Sequence, residues 1–214
     1  MPVKKEILNR ILDCGIVAVV RGESAEPVLR AIEAVLQGGV SAIEVTFTVP
    51  GALQIIEKLA KELPEDVTLG AGTVLDGQTA RNAIDAGAQF IVAPNTNLEV
   101  IEIAKWRGKP VMPGALTPTE VVTARDAGAD LVKVFPANVM GPGYLRDLHG
   151  PLPDVRFIPT GGIDLDNAAD YLKAGAAALG VGSSLIDKKL VAARDWDALT
   201  ERARRFTGIV QQAR

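Results

Sequence analysis

The chain has 214 residues, of which 48% are hydrophobic and 23% charged, with a formal net charge of −3; this composition supports a sizeable core and excludes general electrostatic binding to nucleic acid. A single cysteine, Cys14, excludes an intrachain disulfide and a cysteine-based metal site. No apolar run reaches the ~18 residues of a membrane span, and the N-terminal segment, interrupted by Asn9, Arg10 and Asp13, lacks a signal-peptide core, so a soluble cytoplasmic protein with no membrane partner is expected.

In chain order, Gly15 to Val20 reads as a strand apolar at successive positions, as one covered on both faces should be, and ends at Arg21. Ser24 is placed to cap a helix from Glu26 to Gln37 that stops at Gly38-Gly39. The second strand, Ala42 to Thr48, carries an acid, Glu44, and Pro50 then opens a helix that ends near Leu63-Pro64. Strand three, Val67 to Thr73, precedes a helix from Asp76 to Ala86; strand four, Gln89 to Ala93, ends at Pro94 and precedes a helix from Leu98 to Lys105. Strand five, Pro110 to Met112, exits at Pro113-Gly114, and Thr117-Pro118-Thr119-Glu120 has the form of a helix start with its cap and first-turn acid. Strand six, around Asp130 to Ala137, carries Lys133. A short helix about Tyr144 to Leu148 follows, then strand seven, Arg156 to Pro159, and strand eight, Ala177 to Val181. An amphipathic helix from about Asp197 to Gln211 closes the chain, with Arg202 to Arg205 read as a solvated face.

Strand exits therefore recur at roughly one βα unit each time, and Gly39, Gly87, Gly128 and Gly175 each separate a helix from the next strand. Eight strands alternating with helices predict an α/β fold, a right-handed (β/α)8 TIM barrel, with residues 1–214 forming a single domain that includes N-terminal and C-terminal helices; an open doubly wound sheet is the alternative.

In a barrel the strand C-terminal ends and the loops after them form the active face, which brings Arg21, Glu44, Thr46, Thr73, Lys133 and Thr160 to a common mouth. A lysine in a buried strand has to be paired, neutral or chemically used, and its amine can attack a carbonyl to form a Schiff base. Glu44 is suited to the proton transfers of such a reaction, and Arg21 to an anionic oxygen. Thr160-Gly161-Gly162 and Gly182-Ser183, placed before expected helix starts at Asp164 and Ser184, expose backbone N–H groups where this fold recurrently binds phosphate. No metal site is expected, since His149 is the only histidine and lies outside this set.

Ile43-Glu44-Val45-Thr46, Gly70-Ala71-Gly72-Thr73-Val74, Met112-Pro113-Gly114, Lys133-Val134-Phe135-Pro136-Ala137, Pro159-Thr160-Gly161-Gly162-Ile163 and Gly182-Ser183 together resemble the 2-keto-3-deoxy-6-phosphogluconate (KDPG) aldolases and the bifunctional 4-hydroxy-2-oxoglutarate aldolases. The resemblance implies a class I lyase that splits KDPG into pyruvate and glyceraldehyde 3-phosphate, without a cofactor, as a homotrimer. It implies that Lys133 is the Schiff-base lysine and Glu44 the proton-transferring acid. Thr73 would hold the pyruvate part, Phe135, Pro94 and Pro113 would line the pocket, and Gly161, Gly162 and Ser183 would bind phosphate. One departure stands out: Thr48 occupies a position where many members have an arginine that assists the substrate carboxylate, leaving that task to Arg21. A phosphosugar epimerase or isomerase without a covalent intermediate, and a non-catalytic trimeric scaffold, are the competing readings.

Overall fold

The computed structural model describes residues 3–213. Its elements are α1 (Lys4–Cys14), β1 (Ile16–Val20), α2 (Ala25–Gln37), β2 (Ala42–Thr46), α3 (Ala52–Glu62), β3 (Thr68–Gly72), α4 (Gly77–Asp85), β4 (Phe90–Val92), α5 (Leu98–Trp106), β5 (Val111–Met112), β6 (Gly114–Ala115) and α6 (Pro118–Ala127). They continue with β7 (Val132–Val134), α7 (Gly141–His149), β8 (Phe157–Pro159), α8 (Ala168–Lys173), β9 (Leu179–Val181), α9 (Lys188–Ala193) and α10 (Trp196–Ala213).

All strand pairing is parallel. One sheet has the order β5-β4-β3-β2-β1-β9 and a second the order β6-β7-β8. The expected fifth strand, Pro110 to Met112, is found as β5; after Pro113, which has no N–H to give to a ladder, a further short strand, β6, follows, and β5 and β6 pair with different neighbours, β4 and β7. At the other junction a lone bridge, Thr160 to Gly180, joins the two sheets. The architecture is thus an α/β fold built on a curled parallel sheet with helices packed outside it.

Local chemistry accounts for most boundaries. Thr117 and Glu120 form the expected capping box at α6, and Gly39, Gly87, Gly128 and Gly175 all adopt positive φ, as a helix-ending turn requires. Ser24 precedes α2 but makes no capping bond through its side chain. The N-terminal segment is one continuous helix, α1, ending at Gly15; its polar residues lie outward while Ile7, Leu8 and Ile11 are buried.

The inner face of the curl follows the period of two in a strand. Ala42, Leu131, Ile158 and Ala178 form one buried cluster with Val17, Phe90, Met112 and the three apolar residues of α1, so α1 closes the N-terminal end of the curl. Lys4 ties α1 down through an ion pair to Asp130 at 2.9 Å. Two residues further along the same faces stand Glu44, Lys133, Thr160 and Gly180.

Candidate active site

Glu44 and Lys133 are 2% and 4% exposed, the deepest charged side chains among the described residues, and strand periodicity places both on the interior face. Lys133 is held in its ladder by its N–H to the Pro113 carbonyl at 2.9 Å and by register with Gly114 and Ile158. Its Nζ lies 5.2 Å from the centre of the Phe135 ring, and among the described residues it has no carboxylate in ion-pair contact. Glu44 pairs in register with Val19 and Gly70. Its Oε1 is buried without a hydrogen-bond partner among the described residues. Burial pushes the Glu44 carboxyl above the ordinary glutamate range, and the opposing fields of Lys133 and Arg21 do not cancel that effect. A carboxyl that holds its proton more tightly than usual and a buried amine close enough to act on it can exchange protons with a bound molecule.

Glu44 has room because β3 lacks side chains beside it. A Cβ on Gly72 would lie 1.8 Å from Glu44 Oε1, and one on Gly70 would lie 2.3 Å from the Phe90 ring. The alternation Gly70-Ala71-Gly72 was the sequence signal for this space, since glycine inside a strand marks a close approach.

Thr73 follows immediately with φ +58, an unusual conformation for a β-branched residue, costing about 1–3 kcal/mol and concentrated at functional sites. The neighbouring peptides fix it: the Phe47 N–H donates to the Gly72 carbonyl at 2.8 Å and the Val74 N–H to the Val92 carbonyl at 3.2 Å. The Gly72 carbonyl being held on one side turns the Thr73 N–H, which has no acceptor among the described residues, to the other.

The remaining residues divide. Arg21 is exposed at the end of β1, close enough for its charge to act on Glu44. Pro94 and Phe135 are half-buried and Pro113 is buried. Thr46 is fully buried, and its hydroxyl donates to the Val20 carbonyl at 3.0 Å while contacting the Thr48 hydroxyl at 2.7 Å; its one proton is committed to stitching β2 to β1, which removes it as a free donor. Thr160 is buried against Gly180, where a Cβ would lie 2.0 Å from its hydroxyl oxygen.

At Gly161-Gly162 and Gly182-Ser183 the expected helix starts are not found: α8 begins at Ala168 and α9 at Lys188, and turns stabilised by the Asp164 and Asn167 side chains, and by the Gly182 carbonyl, come first. Gly161 and Gly162 have φ of +94 and +72, a conformation open to glycine. The carbonyls in these turns face away. Those of Thr160 and Gly161 accept from Ala137 and Asn138 N–H at 2.8 and 3.1 Å, Gly162 accepts from Asn167 Nδ2 at 2.8 Å, and Gly182 accepts from Leu185 and Ile186 N–H, both at 2.9 Å. Because N–H and C=O of a trans peptide point oppositely, the N–H groups of Gly161, Gly162, Ile163 and Ser183 project the other way, and none has an acceptor among the described residues. Backbone N–H groups left free in the turns after two strands can receive an anion.

The family model described as KDPG and KHG aldolase matches residues 7–202. The chain belongs to this aldolase family. Among relatives, a 2-dehydro-3-deoxy-phosphogluconate aldolase of Treponema pallidum is 36% identical over 206 residues, covering 96% of each chain. A solved structure described as native KDPGal superimposes with a TM-score of 0.86 at 32% identity, covering 92% of this chain and 95% of the other. The KDPG aldolase of Legionella pneumophila, solved with pyruvate captured at low pH as a covalent carbinolamine intermediate, has a TM-score of 0.86 at 28% identity and coverage of 92% and 96%.

Sequence reasoning passed over Asn138 and Asn167 in this aldolase, and gave Gly72, Ser184 and Arg202 no part of their own in the site. Arg202 is a correction: it is half-buried and its Nε donates to the Ser184 carbonyl, whereas Arg204 and Arg205 form the solvated face. His149 supports α8 through the Gly175 carbonyl at 3.0 Å. Among the described residues, no helix is long and apolar enough to cross a membrane.

Proposed function

We propose that the chain is a class I aldolase that cleaves KDPG to pyruvate and glyceraldehyde 3-phosphate, and 4-hydroxy-2-oxoglutarate to pyruvate and glyoxylate. The observation that carries this is the pair Lys133 and Glu44, buried on one interior face with Glu44 Oε1 unpartnered among the described residues, in a member of the KDPG and KHG aldolase family. The Lys133 amine attacks the substrate C2 ketone to give a carbinolamine, which loses water to an iminium. The Glu44 carboxylate takes the C4 hydroxyl proton; the C3–C4 bond breaks, its electron pair enters the iminium, and the aldehyde leaves. Glu44 returns that proton to C3 of the enamine, and water releases pyruvate and the amine, so that Glu44 ends as it began. The apolar enclosure that raises the Glu44 carboxyl favours this return.

The Thr73 N–H and Arg21 receive the substrate carboxylate, Pro94, Pro113 and Phe135 bound the pocket, Thr46 and Thr160 buttress it, and the amides of Gly161, Gly162, Gly182 and Ser183 receive the phosphate. The bridge between Thr160 and Gly180 and the continuation of β5 into β6 support closure of the two sheets as one (β/α)8 barrel, a single domain over residues 1–214. A homotrimer acting in the cytoplasm, where phosphorylated sugar acids are retained, completes the reading. The test is release of both products from KDPG by purified protein, each measured with its own dehydrogenase. Equimolar pyruvate and triose phosphate support the assignment; turnover of neither KDPG nor 4-hydroxy-2-oxoglutarate by folded protein rejects it.

A further inference from the structure

Behind the anion-binding amides lie two unbroken hydrogen-bond chains, both passing through Ser184. In the first, Arg202 Nε donates to the Ser184 carbonyl. The N–H of the same peptide, that of Leu185, donates to the Gly182 carbonyl at 2.9 Å. The N–H of that next peptide is that of Ser183, which has no acceptor among the described residues. In the second, Ser184 Oγ donates to the Ile163 carbonyl. The Asp164 N–H on that peptide donates to Asn167 Oδ1 at 3.0 Å, and Asn167 Nδ2 donates to the Gly162 carbonyl at 2.8 Å. The peptide reached last presents the free N–H of Ile163.

Each link runs in one direction, donor to carbonyl through an amide to the next donor, so every bond polarises the one ahead of it. The head of the first chain is a cation. Arg202 is half-buried and makes no ion pair with a carboxylate among the described residues, so its charge is not neutralised locally. A charged donor strengthens a hydrogen bond relative to a neutral one, and this donor stands two peptides behind the Ser183 N–H. The Ser184 hydroxyl also ties the β9 turn to the β8 turn, fixing the separation of the two groups of amides.

We propose that Arg202 and Ser184 are positioning residues that set the strength and spacing of the anion-binding turns, and so the preference of this enzyme for a phosphorylated substrate over an unphosphorylated one. The proposal deepens the aldolase reading and rests on it for the identity of the substrate, but not for the binding of phosphate.

The test uses the full-length protein with inorganic phosphate as probe, its dissociation constant measured by calorimetry. Loss of the charged donor in Arg202→Leu weakens phosphate about tenfold, and Arg202→Gln, which keeps a donor without the charge, weakens it about threefold. Ser184→Ala cuts the tie between the turns and also weakens phosphate. Arg205→Leu, which removes an exposed arginine of the same helix, leaves phosphate binding unchanged. In the same variants the ratio of kcat/KM for KDPG to that for 4-hydroxy-2-oxoglutarate falls with phosphate affinity, through KM rather than kcat. Wild-type phosphate affinity in folded Arg202→Leu and Arg202→Gln, equal weakening in Arg205→Leu, or no phosphate binding by the wild type overturns the proposal. Trapping of pyruvate on Lys133 by borohydride separates the two claims. An intact adduct with unchanged phosphate affinity rejects the relay alone, and a missing wild-type adduct rejects the aldolase reading while the phosphate result stands.

Discussion

The two ends of the curled sheet are lined by the same strands and differ in one layer of side chains. At the N-terminal end, Ala42, Leu131 and Ile158 meet Ile7 and Ile11 of α1 in a closed apolar plug. Two residues further along those strands, Glu44, Lys133 and Thr160 occupy the corresponding faces. The plug satisfies every rule of burial, and the layer above it leaves an amine and a carboxyl oxygen uncommitted. One end of the fold thus supplies stability that the other, with its costly groups, consumes.

That division can be broken from either side. The largest effect falls on Glu44. Glu44→Gln keeps the shape and removes the proton shuttle, so kcat for KDPG cleavage falls by about 10² to 10⁴-fold. The same variant tests the electrostatics. Because the Glu44 carboxyl is raised in the folded state, its contribution to stability is greatest below the ordinary glutamate value, where both states are protonated, and is lost as pH rises towards the folded-state value. Glu44→Gln therefore melts close to wild type at about pH 4 and above it at about pH 8; a melting difference independent of pH would contradict the burial argument. Ile11→Ala opens a cavity in the plug and costs about 2–5 kcal/mol of stability in denaturant titration, while kcat changes less than about twofold. A loss of kcat matching that of Glu44→Gln would erase the distinction between the ends. The smallest effect is expected at Thr68, whose hydroxyl is buried at the start of β3 without a partner among the described residues. Thr68→Val removes that orphan at nearly constant volume, so stability stays level or rises by about 1 kcal/mol, again read by denaturant titration.

Alternation of strand and helix was readable because a parallel sheet covered on both faces writes its strands as apolar runs and its turns as glycine. The lone polar residues inside those runs, Glu44 and Lys133, were readable for the same reason. What the sequence concealed was set by direction and distance. Thr46 looked like a member of the mouth, but its hydroxyl is spent on Val20. The extra strand β6 after Pro113 depends on its meeting β7, while β5 meets β4. Arg202 sat in a basic run that looked solvated, and only the packing of α10 beside the β9 turn brings its Nε to Ser184. The free amides of the glycine turns follow from where the carbonyls are tied, and for Thr160 and Gly161 the partners, Ala137 and Asn138, are more than 20 residues away.

The most direct test is intact and peptide mass spectrometry after incubation with pyruvate and borohydride, on the wild type and on Lys133→Ala. The account predicts a reduced pyruvyl adduct on the peptide that carries Lys133, and none in folded Lys133→Ala. No adduct on folded wild type, under conditions that label a control class I aldolase, or an adduct that persists in Lys133→Ala, would contradict it.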